Sequence, residues 1–481
     1  MDILGGLEPK KVFKYFEEIC RIPHGSRNTG KISDYCVEFA KIRQLKVIRD
    51  SSNNIIIFKD GSKGYENSKP VIIQGHLDMV CEKEKDYDID FLKDGLKLKL
   101  ENDNIMAEGT TLGGDDGIAV AIALAILDSD DIDHPPLEVV FTVDEEIGML
   151  GAAAIDCSTL KSRIMLNLDS EEEGHLLVGC AGGVTATCHL PVSESTVEGK
   201  EYEIIVNGLI GGHSGVEIHK GRANASQVLG RVLFNLRKEI EFNIVDINGG
   251  FKDNAIPREA IARIVAVDEK NNLENWLIGI NNILKNEYKK TDREINVSVR
   301  EISTLDKSAF DENTTKRVIS ALVNLPGGIQ KMSFDIEGLV ETSLNLGILK
   351  TDNKEVTMSF SVRSSVRTEK KELVCRLESL MEVLEGYVTC EGEYPAWEYK
   401  EDSILRSIMI DIYKEQTGKE PIVETMHAGV ECGLFAEKLS GLDCVSFGPN
   451  IYDIHTTAER MSVASIKRTW EYVLAILKRL K

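Results

Sequence analysis

One pattern, repeated three times before residue 175, narrows the fold more than any other feature. An apolar run ends in acid-bearing residues, and the chain then turns away into glycine or charge. Val71-Ile72-Ile73-Gln74-Gly75 runs into His76-Leu77-Asp78, residues 137–142 run into Asp144-Glu145-Glu146, and residues 163–168 run into Asp169-Ser170-Glu171. Short apolar runs without alternation read as strands buried on both faces. Helix-patterned stretches lie between them, at 118–127 and from 151 onward. Alternating strands and helices predict an α/β domain with a mixed, mostly parallel sheet. In such a sheet, ligands bind beyond the carboxyl ends of the strands. His76, Asp115, Glu145, Glu146 and Asp169 all map to that edge.

Upstream, the spacing predicts helices over 8–21 and 29–44 and strands over 46–49 and 54–59. Residues 81–99 read as a charged, irregular loop. The style changes after Gly182-Gly183. Strands expected at 185–190, 201–207, 240–248, 260–267, 294–301, 332–336, 341–349 and 355–362 include runs that alternate, as in an antiparallel sheet with an open face. Helices are expected among them at 222–238, 273–288, 311–322 and 369–385. After Pro395 the first style returns, with a helix at 403–416, an apolar strand at 443–447 and a closing helix at 463–480. Residues 1–183 and 397–481 therefore read as one discontinuous domain, with an α+β domain inserted at 184–396.

A chain of 481 residues with 42% hydrophobic content has room for two cores. Its net charge of −22 leaves no basic surplus for nucleic acid or for anionic membranes. Ten scattered cysteines without a Cys-x-x-Cys pair fit reduced thiols in the cytoplasm. Residues 1–6 carry no leader pattern, and no apolar run reaches the length of a membrane span.

His76 and Asp78 lie two apart, so on a strand they point the same way. Alone, the pair reads equally as a metal ligand with a tuning partner or as a satisfied core histidine. The other strand ends favour the ligand. Gly113-Gly114-Asp115-Asp116-Gly117 puts acids at a helix entrance, and His455 follows the strand at 443–447. Two histidines and several acids suit a pair of divalent transition ions. Glu145 and Glu146 are consecutive, so one can ligate while the other moves protons.

The order Gly75-His76-Leu77-Asp78, Gly113 to Gly117, Asp144-Glu145-Glu146-Ile147-Gly148, Asn167-Leu168-Asp169, Gly211-Gly212-His213-Ser214-Gly215 and His455-Thr456-Thr457-Ala458-Glu459 resembles the di-zinc aminoacylase/carboxypeptidase superfamily across essentially the whole chain. Within it, the chain looks most like the bacterial cytosolic dipeptidases that cleave aminoacyl-histidine. The resemblance implies two Zn2+ ions, replaceable by cobalt or manganese. His76 and Asp169 would hold one, Glu146 and His455 the other, with Asp115 bridging. Asp78 would orient His76, and Glu145 would be the general base. A cis peptide is implied at Asp115–Asp116, although Asp116 stands where the family often has asparagine. The insertion would be a lid or homodimerisation domain. There His213 would stabilise the oxyanion, Asn224 would lie near the substrate, and Arg363, with Arg367 as competitor, would take the substrate carboxylate. Glu431 would receive the substrate ammonium, or serve only as a helix-start acid. The implied activity is hydrolysis of unblocked dipeptides. An aminotripeptidase, an N-acyl-amino-acid deacylase or a non-catalytic relative are the alternatives.

Overall fold

The computed structural model of the protein describes residues 3–267, 270–302, 307–352 and 354–481; Met1 and Asp2, where the leader was sought, lie outside them. The chain divides into two units, one comprising Met1–Gly179, Tyr399–Thr425 and Val430–Lys481, the other Cys180–Glu398 and Met426–Gly429.

The first unit is built on an eight-stranded sheet. Its order is Lys46–Arg49, Ile55–Lys59, Leu137–Thr142, Val71–His76, Ile164–Asn167, Asp443–Ser446, His175–Cys180, Ile422–Met426. The four strands from Leu137–Thr142 to Asp443–Ser446 are mutually parallel. All six residues of Val71–His76 are buried, as expected for a strand covered on both faces. Gly114–Leu127 is buried on every side and packs on this strand and on Lys10–Cys20. Register sets the site. His76 lies opposite Thr142 and Gln74 opposite Asn167, so the acids following these strands emerge at about one level.

The loop expected at 81–99 is only partly a loop. Leu98–Glu101 pairs with Asn104–Ala107, and this hairpin joins Arg460–Ser462 and Ile451–Tyr452 in a four-stranded sheet. Asn102 closes the turn at φ 55°, and each strand is only four residues long.

The second unit holds a nine-stranded sheet, in the order Asn296–Ile302, Lys200–Asn207, Ala260–Ala266, Phe242–Gly249, Val340–Thr351, Glu355–Ser364, Gly182–Pro191, Tyr387–Tyr394, with Gly328–Met332 on Val340–Thr351. Along Glu355–Ser364, Val356, Met358, Phe360 and Val362 enter the core, leaving Thr357, Ser359, Ser361 and Arg363 on the opposite face. The strand expected at 332–336 lies instead at Gly328–Met332, because the Ser333 hydroxyl accepts the N–H groups of Asp335 and Ile336 and turns the chain. None of the ten cysteines is in a disulfide. Among the described residues, no helix is long and apolar enough to cross a membrane.

Candidate metal centre

His76 ends its strand buried. Its Nδ1–H donates to the main-chain carbonyl of Asp78 at 2.9 Å, which leaves the lone pair on Nε2. That lone pair faces Asp115 Oδ1 at 3.2 Å and Asp169 Oδ1 at 3.5 Å. Asp115 Oδ2 lies 3.2 Å from Nε2 of His455, which is itself 3.0 Å from Glu146. Lone pairs aimed at carboxylate oxygens repel unless a cation or a proton lies between them. Ligand atoms of His76, Asp115 and Glu146 lie within 4.8 Å of one another, as do those of His76, Asp116 and Asp169. Imidazole nitrogen with carboxylate oxygen is a donor set that fits divalent transition ions.

The local charge argues the same way. Burial pushes Glu145 up to about 9, with the charges of Asp169, Glu431 and Glu146 adding to it. Burial and the charges of Asp115 and Asp169 push Glu171 up to about 8. Burial, followed by the charge of Asp169, drives Asp116 well above the usual carboxyl range. Contacts with Asp115 and Glu146 hold His455 cationic up to about 10. Burial opposes ionisation of Asp115, but its contacts with His455 and His76 outweigh it and keep the carboxyl well below the usual range. These acids ionise together only when positive charge joins them.

The Asp78 side chain has partners besides His76. Its carboxylate stands 3.6 Å from His76 Nδ1. It accepts from Ser26 Oγ at 2.8 Å, from the Glu145 N–H at 3.0 Å and from the Glu146 N–H at 3.4 Å. The strand end is thereby tied to the turn that carries both glutamates. Asp116 accepts the main-chain N–H of His76 at 3.1 Å. Gly75 permits this, since a Cβ there would meet Asp116 Oδ2 at 2.5 Å. The Asp115–Asp116 peptide is cis. Glu459 accepts three consecutive N–H groups, those of Leu112, Gly113 and Gly114, at 2.7, 3.1 and 2.8 Å. It fixes the loop that presents Asp115. Ser26, Glu171 and this role of Glu459 were missed in the sequence. Glu171 and Glu459 sit in segments already quoted, and Ser26 in the loop between two expected helices, but only long-range contacts give them a purpose. His24 is buried with Nδ1 2.5 Å from the Ile22 carbonyl, as a core histidine.

Glu431 opens the helix Glu431–Lys438 and is 1% exposed. Its Oε2 accepts from Gln74 Nε2 and Thr142 Oγ1, both at 2.6 Å, while Oε1 has no partner.

The remaining sequence candidates belong to the second unit. His213 Nδ1 accepts the N–H groups of Gly215 and Val216 at 3.0 and 3.2 Å, so its ring proton sits on Nε2. Burial and the charge of Arg363 keep this ring neutral. Asn224 caps Ala225–Leu236, with Oδ1 accepting from Ser226 and Gln227 and Nδ2 donating to Asn345 Oδ1 and the Leu346 carbonyl. Both its side-chain oxygen and its amide nitrogen are thus engaged within the second unit. Arg363 is 8% exposed and donates to the Tyr394 hydroxyl at 2.7 Å, whereas Arg367 opens a helix at the surface.

The profile of peptidase family M20/M25/M40 matches residues 72–479. The chain is 36% identical over 483 residues to the cytosol non-specific dipeptidase of Escherichia coli (strain K12), covering 100% of this chain and 99% of that protein. Its fold is similar to the crystal structure of aminoacylhistidine dipeptidase from Vibrio alginolyticus, with TM-score 0.95, 35% identity and coverage of 99% and 98% of the two chains. Aminopeptidase PepT from Bacillus cereus shares the fold at TM-score 0.57 and 15% identity, covering 98% of this chain and 99% of that one.

Proposed function

The chain belongs to the M20/M25/M40 peptidase family, and on that premise we propose that it is a cytoplasmic zinc-dependent dipeptidase cleaving unblocked dipeptides, Xaa-His among them. The observation that carries this reading is the division of Asp115 between His76 and His455 at 3.2 Å each. His76 and Asp169 would hold one Zn2+ and Glu146 and His455 the other, with Asp115 serving both; cobalt or manganese could replace zinc. When bound, the metals polarise the scissile carbonyl and acidify a water.

Glu145 takes the proton of the attacking water and returns it to the leaving amine. Its burial among acids gives it the proton affinity for that exchange. Asp78 holds the Glu145 and Glu146 main chain in place. His213, neutral with its proton on Nε2, has the donor an oxyanion needs. Arg363 takes the substrate carboxylate, its burial favouring it over Arg367. Glu431 Oε1 takes the substrate ammonium.

A homodimer belongs to the same reading.

The 35–36% identical relatives are both named dipeptidases, which favours this activity over the tripeptidase and deacylase readings. The test is turnover of β-Ala-His, Ala-Ala, a tripeptide and an N-acetyl amino acid by metal-loaded protein. Rapid cleavage of the two dipeptides is expected, and cleavage of the acetylated compound alone would overturn the reading.

A further inference from the structure

The polar face of the nine-stranded sheet carries a row of residues directly opposite one another. Ser343 faces Arg363, Arg363 faces Gly183, and Tyr394 pairs with Gly183 from the far side. Gly183 has no side chain, and a Cβ there would meet the Tyr394 ring at 2.4 Å. The ring therefore lies across it, and the Tyr394 hydroxyl accepts from Arg363 Nη1 at 2.7 Å. At the other end of the row, Ser343 Oγ is 2.7 Å from Nε2 of His427. Arg363 is 8% exposed and His427 7%.

Two buried atoms in this row lack a partner, Arg363 Nε and His427 Nδ1. Among the described residues, no carboxylate pairs with Arg363. A buried guanidinium without an anion is costly, and such a site is complete only when an anion arrives. His427 is neutral, lowered to about 4 by burial and by the charge of Arg363. With the Ser343 hydroxyl donating to Nε2, its ring proton sits on Nδ1. Both unmatched atoms are then N–H donors, and a carboxylate has the two oxygens to receive them.

We infer that His427 is a second donor to the carboxylate that Arg363 receives, and that Ser343 and Tyr394 position the two. The inference rests on the reading that the substrate is an unblocked dipeptide. It assigns to this pair the preference for a free terminal carboxylate.

The test compares Ala-Ala with Ala-alaninamide in the wild type, His427→Ala, His427→Asn and His427→Gln, by kinetics and by calorimetric binding. Asparagine places an N–H near the position of Nδ1, and glutamine near that of Nε2. The wild type should favour the free acid by at least about tenfold. His427→Ala should lose roughly ten- to a hundredfold in kcat/KM on the free acid, through KM, and change the amide less than about threefold. His427→Asn should recover most of the loss, and His427→Gln little. Equal losses on both compounds, no loss at all, or rescue by glutamine alone would overturn the inference. If the metal-loaded wild type cleaves neither compound, the dipeptidase reading fails while the binding arm still decides. Weaker binding of Ala-Ala alone to His427→Ala supports the carboxylate site, and unchanged binding removes it.

Discussion

The two oxygens of Asp115 serve different histidines, Oδ1 lying 3.2 Å from His76 Nε2 and Oδ2 3.2 Å from His455 Nε2. One carboxylate thus links a residue at the end of a central parallel strand to one near the C-terminal end of the sequence. If it bridges two ions, its loss differs in kind from the loss of any other ligand. Asp115→Ala is expected to lower bound metal from about two ions per chain to fewer than one, and turnover by more than about a hundredfold. Asp169→Ala and Glu146→Ala should each lose one ion. Elemental analysis after dialysis checks this, and equal metal loss in all three variants would remove the bridge.

In the proposed mechanism Glu145 moves protons and does not hold the ions. Glu145→Ala should keep its full metal content while kcat falls by roughly 10²- to 10⁴-fold. Metal content and steady-state kinetics on one preparation decide the point, and near-normal kcat would exclude Glu145 from the chemistry.

Asp78 accepts from one hydroxyl and two main-chain N–H groups. Asp78→Ala leaves those donors buried without a partner, a cost of about 1–3 kcal/mol, and loosens the turn bearing Glu145 and Glu146. Metal affinity should weaken by about 10- to 100-fold. Denaturant melts and metal titrations measure the two effects, and a variant as stable as the wild type would sink the argument.

Stability of the metal-free protein should depend on pH through Glu431. Burial raises this carboxyl from 4.5 to about 7 in the folded state. The folded chain then holds the proton more tightly than the unfolded chain. The contribution is full below about pH 4.5 and is lost as pH rises through about 7, on the order of 3 kcal/mol. Glu431→Gln, melted in chelator across pH 4.5 to 7.5, should show a flatter profile than the wild type. Identical slopes would show that Glu431 does not titrate in this window.

The parallel core was legible because strands covered on both faces are written as unbroken apolar runs, and the residues beyond each run fell along one edge. The hairpin at 98–107 was not, because Leu98–Glu101 alternates over only four residues at the end of a charged stretch. The carboxylate row was equally hidden. Ser343 and His427 are 84 positions apart, and only the register of Val340–Thr351 against Glu355–Ser364 brings Arg363 beside them. The helix cap formed by Asn224 was hidden for a different reason, since nothing local in the sequence tells a capping asparagine from one that also meets substrate.

Glu459, clamping the loop before Asp115, has a consequence in time. A ribosome makes His76, Asp115, Glu146 and Asp169 well before it makes His455 and Glu459. During synthesis the nascent chain has neither the clamp nor the last histidine, so a competent peptidase should appear only near the end of translation. Stalled chains ending before residue 455 should therefore be inert, and release of the complete chain should start hydrolysis.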